Sequence, residues 1–454
     1  MPGRARLAAL VGMLLLLAAC GAPPAAAPSG TPGTAAPALT GPAWTTYHGD
    51  AARTGVDRSS PPVGSPRVLW HSAALDGDVY AEPLLVDGHV IVATEGDSLY
   101  SLDAGSGAVA WQAHLGTPVP RSMLPCGNIF PLGITGTPVV DRAAQLVYAV
   151  AETTPGIHTL AAVELGSGRV RWRRGVDPPG MTAIAQQQRA ALTLDAGRVV
   201  VAFGGLLGDC GAYHGWVVAV AADGSGPLLD FRVPSTREAG IWAPAGPVVD
   251  SDGTLLVATG NSEAATTLDG GDSVLRLSPD LHQVDQWAPA DWRLLNAADT
   301  DVGSISPAAV GGGLLFQGGK SGRGYLLRAG HLGGVGGAAF AAEVCRGGSY
   351  GGTAFAAPYL YVPCVQGLRA LRIGPGAAFS VAWTGPPTGS PIVAGGAVWA
   401  TGSGQTTLLA LDPASGAVRA RVEVGPTVHF ATPASLGGTL VVGSGNSIVA
   451  VTGV

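Results

Sequence analysis

A repeat constrains this chain more than any other feature of its sequence. "PLLVDGHVIVATEGDSLYSLDAGSGAVAW" (83–111) returns as "TPVVDRAAQLVYAVAETTPGIHTLAAVELGSGRVRW" (137–172) and again as "SPIVAGGAVWATGSGQTTLLALDPASGAVRARVEV" (390–424). Each unit reads as a small-residue start, an apolar strand, a turn, a second strand, a third strand ending in a Leu-Asp-like pair, a Gly turn and a last strand. Looser copies begin near Gln188, Trp242, Ser304, Gly352 and His429, which brings the units to eight. Four-stranded units of this length, with 70 glycines and few helix-period stretches, predict an all-β, eight-bladed β-propeller. The last unit, "ATPASLGGTLVVGSGNSIVAVTGV" (431–454), supplies only three strands. "SPRVLWHSAAL" (65–75) supplies the fourth, because its Val68-x-Trp70 repeats Val109-x-Trp111, Val170-x-Trp172 and Val381-x-Trp383. An N-terminal strand is therefore expected to complete the final blade and remove the exposed edge. The tryptophans in this register are expected to be wedges between blades.

The N-terminus reads "MPGRARLAALVGMLLLLAAC", two arginines, an apolar run and small residues before Cys20, which is an export signal too short to be a stop-transfer helix. Leu17-Ala18-Ala19-Cys20 resembles the lipobox of bacterial lipoproteins, which implies lipidation of Cys20. Residues 21–41, rich in Pro, Ala, Gly and Ser, read as a disordered tether, and 42–454 as the propeller. The expectation is an exported, membrane-anchored lipoprotein on the extracytoplasmic side, at the cell surface or in the periplasm, carrying a monomeric propeller. The four remaining cysteines, Cys126, Cys210, Cys345 and Cys364, form an even set suited to an oxidising compartment. Three pairings are open, and Cys126–Cys210 with Cys345–Cys364 is favoured because the second pair closes the shortest sensible loop. No CxxC or CxxCH spacing occurs, so neither a zinc ribbon nor attached haem is expected. A net charge of −6 argues against a nucleic-acid partner. Lys320 is the sole lysine among 25 lysines and arginines.

The Leu-Asp-Ala-x-Ser-Gly-x-x-x-Trp element at 102–111 and the lead-in "TTYHGDAARTG" (45–55) resemble the repeat and N-terminal segment of the pyrroloquinoline-quinone (PQQ) dehydrogenase-like propellers, the quinoprotein alcohol dehydrogenase-like superfamily. That family contains PQQ- and calcium-dependent dehydrogenases and also cofactor-free scaffolds, such as the lipoprotein propeller of the outer-membrane assembly machinery. The resemblance implies a site at the channel mouth. Trp242 in "GIWAPAGPVVD" (240–250) resembles the floor tryptophan under the cofactor. Asn261 in "VATGN" (257–261) stands at the position of the amide ligand to calcium. Asp299 and Asp301 in "NAADTDVGS" (296–304) resemble the catalytic base and a further metal ligand, and Lys320 in "GGKSGRGYLL" (318–327) resembles the lysine that touches the quinone oxygens. A local reading of Asp299 and Asp301 as a loop-capping turn stands beside this one.

Two places depart from the family pattern. "MLPCGNIFPLGITGTP" (123–138) has Pro125 before a single Cys126 where the family has adjacent, disulfide-bonded cysteines above the cofactor. "GGLLGDCGAYHGW" (204–216) offers Asp209 near the position of the metal-binding Glu. Other side chains expected at the mouth are Glu82, Gln187, Gln188, Arg189 as a cofactor contact, Tyr350 and His429. Two functions follow. One is a binding or scaffold module of the cell envelope, meeting an envelope protein or a small ligand at the mouth. The other is a PQQ- and calcium-dependent dehydrogenase of alcohols, polyols or sugars, with Asp299 or Asp301 as base.

Overall fold

The computed structural model describes residues 41–454. The export signal, Cys20 and the tether up to residue 40 lie outside the described residues. Eight sheets form the blades, each around four strands joined as an antiparallel meander, and a short fifth strand joins three of them. Blade 1 is built from Leu84–Val86, His89–Thr94, Ser98–Asp103 and Val109–His114. Blades 2 to 7 span 139–175, 193–232, 248–288, 308–343, 354–385 and 392–423. Blade 8 takes three strands from Ala434–Leu436, Thr439–Ser444 and Ser447–Thr452, and its fourth from Arg67–His71. That last pairing is antiparallel, with Val68 opposite Val451 and Trp70 opposite Ala450, so the ends of the described chain close the ring as the repeat predicts.

The repeat signature has a physical basis in how one blade meets the next. In each Val-x-Trp strand the middle residue is extra to the ladder, as the register shifts at Val68/Trp70 and Val170/Trp172 show. Such a bulge twists the outer strand and re-aims the tryptophan. Trp70 then packs on the turn of blade 1, Trp111 on that of blade 2, Trp172 on that of blade 3 and Trp383 on that of blade 7. A Cβ on Gly107, Gly168, Gly224 or Gly416 would lie 2.5–2.8 Å from the indole that covers it. Those glycines also hold positive φ, so the repeat needs glycine there for two reasons. Three of the indoles donate to the turn they cover, Trp70 to Ala104 O (2.9 Å), Trp111 to Leu165 O (2.8 Å) and Trp383 to Pro413 O (2.9 Å). The Asp of the Leu-Asp pair holds the turn from within, since Asp103 accepts from the amides of Gly105 and Ser106, and Asp412 from those of Ala414 and Ser415.

The lead-in forms a plug. Its backbone bonds to first strands of blades 1, 2, 4, 6 and 7, through Trp44 N to Leu85 O, Val140 N to Thr45 O, Val249 N to Ala51 O, Phe355 N to Thr54 O and Val393 N to Gly55 O, all 2.7–2.9 Å. Buried Arg53 donates to the carbonyls of Leu192 and Pro247, and buried Tyr47 shares its hydroxyl with Ser390 and Thr432. One end of the axial channel is closed in this way. The end where the first strands begin remains open.

Among the described residues the all-β expectation meets one α-helix, close to the mouth, and one 3₁₀ turn at Ala183–Ala185. Residues Trp292–Ala298 form a short helix, so "NAADTDVGS" begins as a helix end and not as a loop. Trp292 and Leu295 bury its inner face, an anchoring that a seven-residue stretch is too short to announce by periodicity.

Candidate functional site at the channel mouth

The mouth is shaped by close backbone approaches that only glycine permits. A Cβ on Gly204 would lie 2.7 Å from Trp242 Cβ, and one on Gly205 would lie 2.5 Å from the Tyr213 ring. The double glycine therefore lets both aromatics stand against the second strand of blade 3. In blade 5, Gly319 allows the turn that carries Lys320 to lie on the Asp301 backbone, where Lys320 N donates to Asp301 O (2.8 Å).

The short helix sets the two aspartates. Asp299 is its C-terminal cap in the left-handed region, with φ of 50°. Asn296 fastens the helix to the neighbouring loop, accepting from Ser262 N (2.7 Å) and donating to Ala264 O (2.8 Å). Asp301 follows, fully buried, with Oδ1 accepting from Gly303 N (2.7 Å). Lys320 Nζ bridges the pair, 2.5 Å from Asp299 Oδ1 and 2.6 Å from Asp301 Oδ2. Burial works against the lysine's charge, but the two carboxylates outweigh it and hold its ammonium above the usual range. Burial raises Asp301, and Lys320 opposes that rise. Asp272, buried close by, is pushed up to about 8 by burial and by the charge of Asp301. The ammonium also sits 5.4 Å from the centroid of the Trp242 ring, whose other neighbour is Tyr350.

The sequence candidates converge. Gln187, Arg189, Asp209, Trp242, Asn261, Asp299, Lys320, Tyr350 and His429 line one cavity of about 430 Å³, with Asp301 directly behind Lys320. Two expected mouth residues do not line it. Glu82 is sealed beneath the lead-in, where it accepts from His48 N and Trp44 Nε1, and burial pushes its carboxyl up to about 8. Gln188 turns inward and donates to Ala190 O (2.6 Å). Gln187 and Arg189 on either side of it line the cavity.

Of the calcium ligands suggested by resemblance, the carboxylates of Asp209 and Asp299 are engaged within the protein, while the Asn261 amide oxygen is not. Asn261 donates its amide to Glu238 Oε2 (3.1 Å), a carboxylate that sequence reasoning missed. Glu238 is held by Arg237, which also binds Glu263 and the carbonyls of Asp209 and Gly211. The Asp209 side chain accepts from Tyr213 Oη (2.5 Å). Among the described residues no group of three or more His, Cys, Asp or Glu is placed to hold a metal ion. Calcium takes six to eight oxygens, so the donor set present does not fit it.

Both favoured disulfides are formed, Cys126–Cys210 and Cys345–Cys364. The first joins the two loops that depart from the family pattern. It crowns a small apolar cluster of Val119, Leu124, Ile129, Leu132 and Leu206, and leaves Leu207 exposed at the cavity rim. Phe430, also unforeseen, covers Arg189, with the guanidinium carbon 4.0 Å from its ring centroid. Its signal was its place beside His429 at the start of the last blade.

The family model for outer membrane protein assembly factor BamB matches residues 64–205. No curated protein sequence matches the chain. Among solved structures, quinohemoprotein alcohol dehydrogenase from Comamonas testosteroni is similar over 92% of this chain and 81% of its own, with 16% identity and a TM-score of 0.67. A europium-containing methanol dehydrogenase is similar over 89% and 90%, with 15% identity and a TM-score of 0.66. BamB from Moraxella catarrhalis is similar over 86% and 98%, with 13% identity and a TM-score of 0.57.

Proposed function

From its fold, a PQQ-like eight-bladed propeller, and from a mouth whose carboxylates are already spent within the protein, we propose that this chain is a binding module of the cell envelope, held to a membrane through lipidated Cys20. The two disulfides suit export to an oxidising compartment. The observation that carries the reading is the charge arrangement. Lys320 takes up Asp299 and Asp301, Arg237 takes up Glu238, and Tyr213 takes up Asp209. A quinone cofactor has Trp242 as a floor but lacks the adjacent-cysteine clamp, and calcium would meet the Asn261 amide oxygen but carboxylates already paired with Lys320, Arg237 and Tyr213. The residues present do not fit that pair. Isothermal titration of PQQ into the purified full chain, with and without Ca²⁺, tests the reading. It expects no calcium-dependent binding.

A second reading, a PQQ- and calcium-dependent dehydrogenase of alcohols, polyols or sugars, is favoured by one observation. Trp242, Asn261, Asp299 and Lys320 converge on a single cavity with Asp301 behind them. An aspartate serving as base in that reading must first be released from Lys320, because a carboxylate held by an ammonium is a poor proton acceptor. Dye-linked alcohol oxidation after loading with PQQ and Ca²⁺, abolished by Asp301→Ala, is its test.

A further inference from the structure

The mouth contains two cations in opposite circumstances. Lys320 has two carboxylates within 2.6 Å. Arg189 has none within ion-pair distance among the described residues, and its Nε is buried without a hydrogen-bond partner. A guanidinium carries five N–H donors in a fixed plane. The Phe430 ring covers one face of that plane and so orients the donors without satisfying any of them. Glu95, whose charge Arg189 feels, already spends its oxygens on Gly133 N (2.7 Å) and Thr135 Oγ1 (2.8 Å). Burial lowers Arg189 to about 10, so it stays charged at neutral pH.

We propose that the mouth is a seat for the carboxylate of a small organic acid, paired with Arg189 and flanked by His429 and Gln187, with the body of the acid against Trp242, Tyr350 and Leu207. The proposal rests on the reading of the mouth as a binding module and names its ligand class. A planar, two-oxygen anion matches the fork of an oriented guanidinium. His429 Nε2 is buried without a partner and faces the same cavity. Burial and the neighbouring Arg189 hold the imidazole down to about 4, so it offers a neutral hydrogen-bonding atom and not a second positive charge. With Lys320 spent, one free cation suits a singly charged carboxylate better than a phosphate dianion. The aromatic and aliphatic lining suits an apolar body.

Calorimetric titration of the full chain with benzoate, its uncharged analogue benzamide, and inorganic phosphate reads the proposal. Benzoate is expected to bind, with benzamide and phosphate weaker by about tenfold or more. Arg189→Gln is expected to lose the benzoate preference, and Arg189→Lys to keep part of it. The wild-type comparison of benzoate with benzamide stays decisive if a variant fails to fold. Equal binding of benzoate and benzamide, tighter binding of phosphate, or no benzoate binding overturns the proposal. Calcium-dependent PQQ binding in a parallel titration overturns the module reading, while the benzoate series separately decides the role of Arg189.

Discussion

The rim and the mouth of this propeller are built on opposite principles. At the rim, Trp70, Trp111, Trp172 and Trp383 each cover a glycine turn of the following blade, and three of them bond to a carbonyl there. The same contact recurs, it is apolar, and each turn is capped by its own Asp or Glu. At the mouth nothing recurs. The entrances that line it contribute different side chains, the charges interlock in pairs, and Arg189, His429 Nε2 and nearby Asp272 are left with unmet polar atoms. Repetition marks what holds the ring, and its failure marks where a ligand could be met.

The largest test of that contrast is Trp111→Ala. Removing a large indole from a packed site costs about 3–5 kcal/mol. Denaturant melts should show that loss, while benzoate titration should be unaltered because the rim does not touch the cavity. Next, Lys320→Met leaves Asp301 buried and unpaired, with an expected cost of about 3 kcal/mol. The double variant Lys320→Met/Asp301→Asn should recover much of it. Simple additivity of the two changes would show that the pair is not coupled.

A third prediction concerns a charge buried between blades 2 and 3. Burial opposes the charge of His158, yet Glu152 and Asp177 outweigh it and raise the imidazole to about 9. A folded pKa above the unfolded value of about 6.5 gives stability that is complete below pH 6.5 and fades as pH rises through 9. His158→Gln should therefore cost about 2 kcal/mol in melts at pH 6 and distinctly less at pH 10. The smallest effect belongs to the exposed Arg169–Glu164 pair, where Arg169→Ala should leave the melting temperature unchanged within error.

Most of the fold was legible in the sequence because propeller contacts are local and repeated. The Val-x-Trp and Gly-turn elements encode both a bulge and the wedge that meets it, and the strand borrowed for blade 8 follows from the same motif. The helix at Trp292–Ala298 was not legible, since its anchors Trp292 and Leu295 are too few to show a period. Trp242, Asn261, Asp299, Asp301 and Lys320 were found because their segments resemble the family's, and Gln187, Arg189, Tyr350 and His429 because they stand at strand entrances. Their pairing was hidden, because it depends on which side chains reach across blades. Glu238 carried no sequence signal and emerges only from its contact with Asn261, and Glu82 looked like a mouth residue until Trp44 and His48 were seen above it. That Arg189 faces the cavity while its neighbour Gln188 turns to Ala190 O was likewise not readable from composition.

The central claim is that the mouth has spent its acids internally and awaits an anion, without a metal-bound quinone. Isothermal titration of PQQ into the full chain with and without Ca²⁺ tests it most directly. The account predicts no binding that depends on calcium. Calcium-dependent binding that disappears in Asn261→Ala would contradict it and restore the dehydrogenase reading.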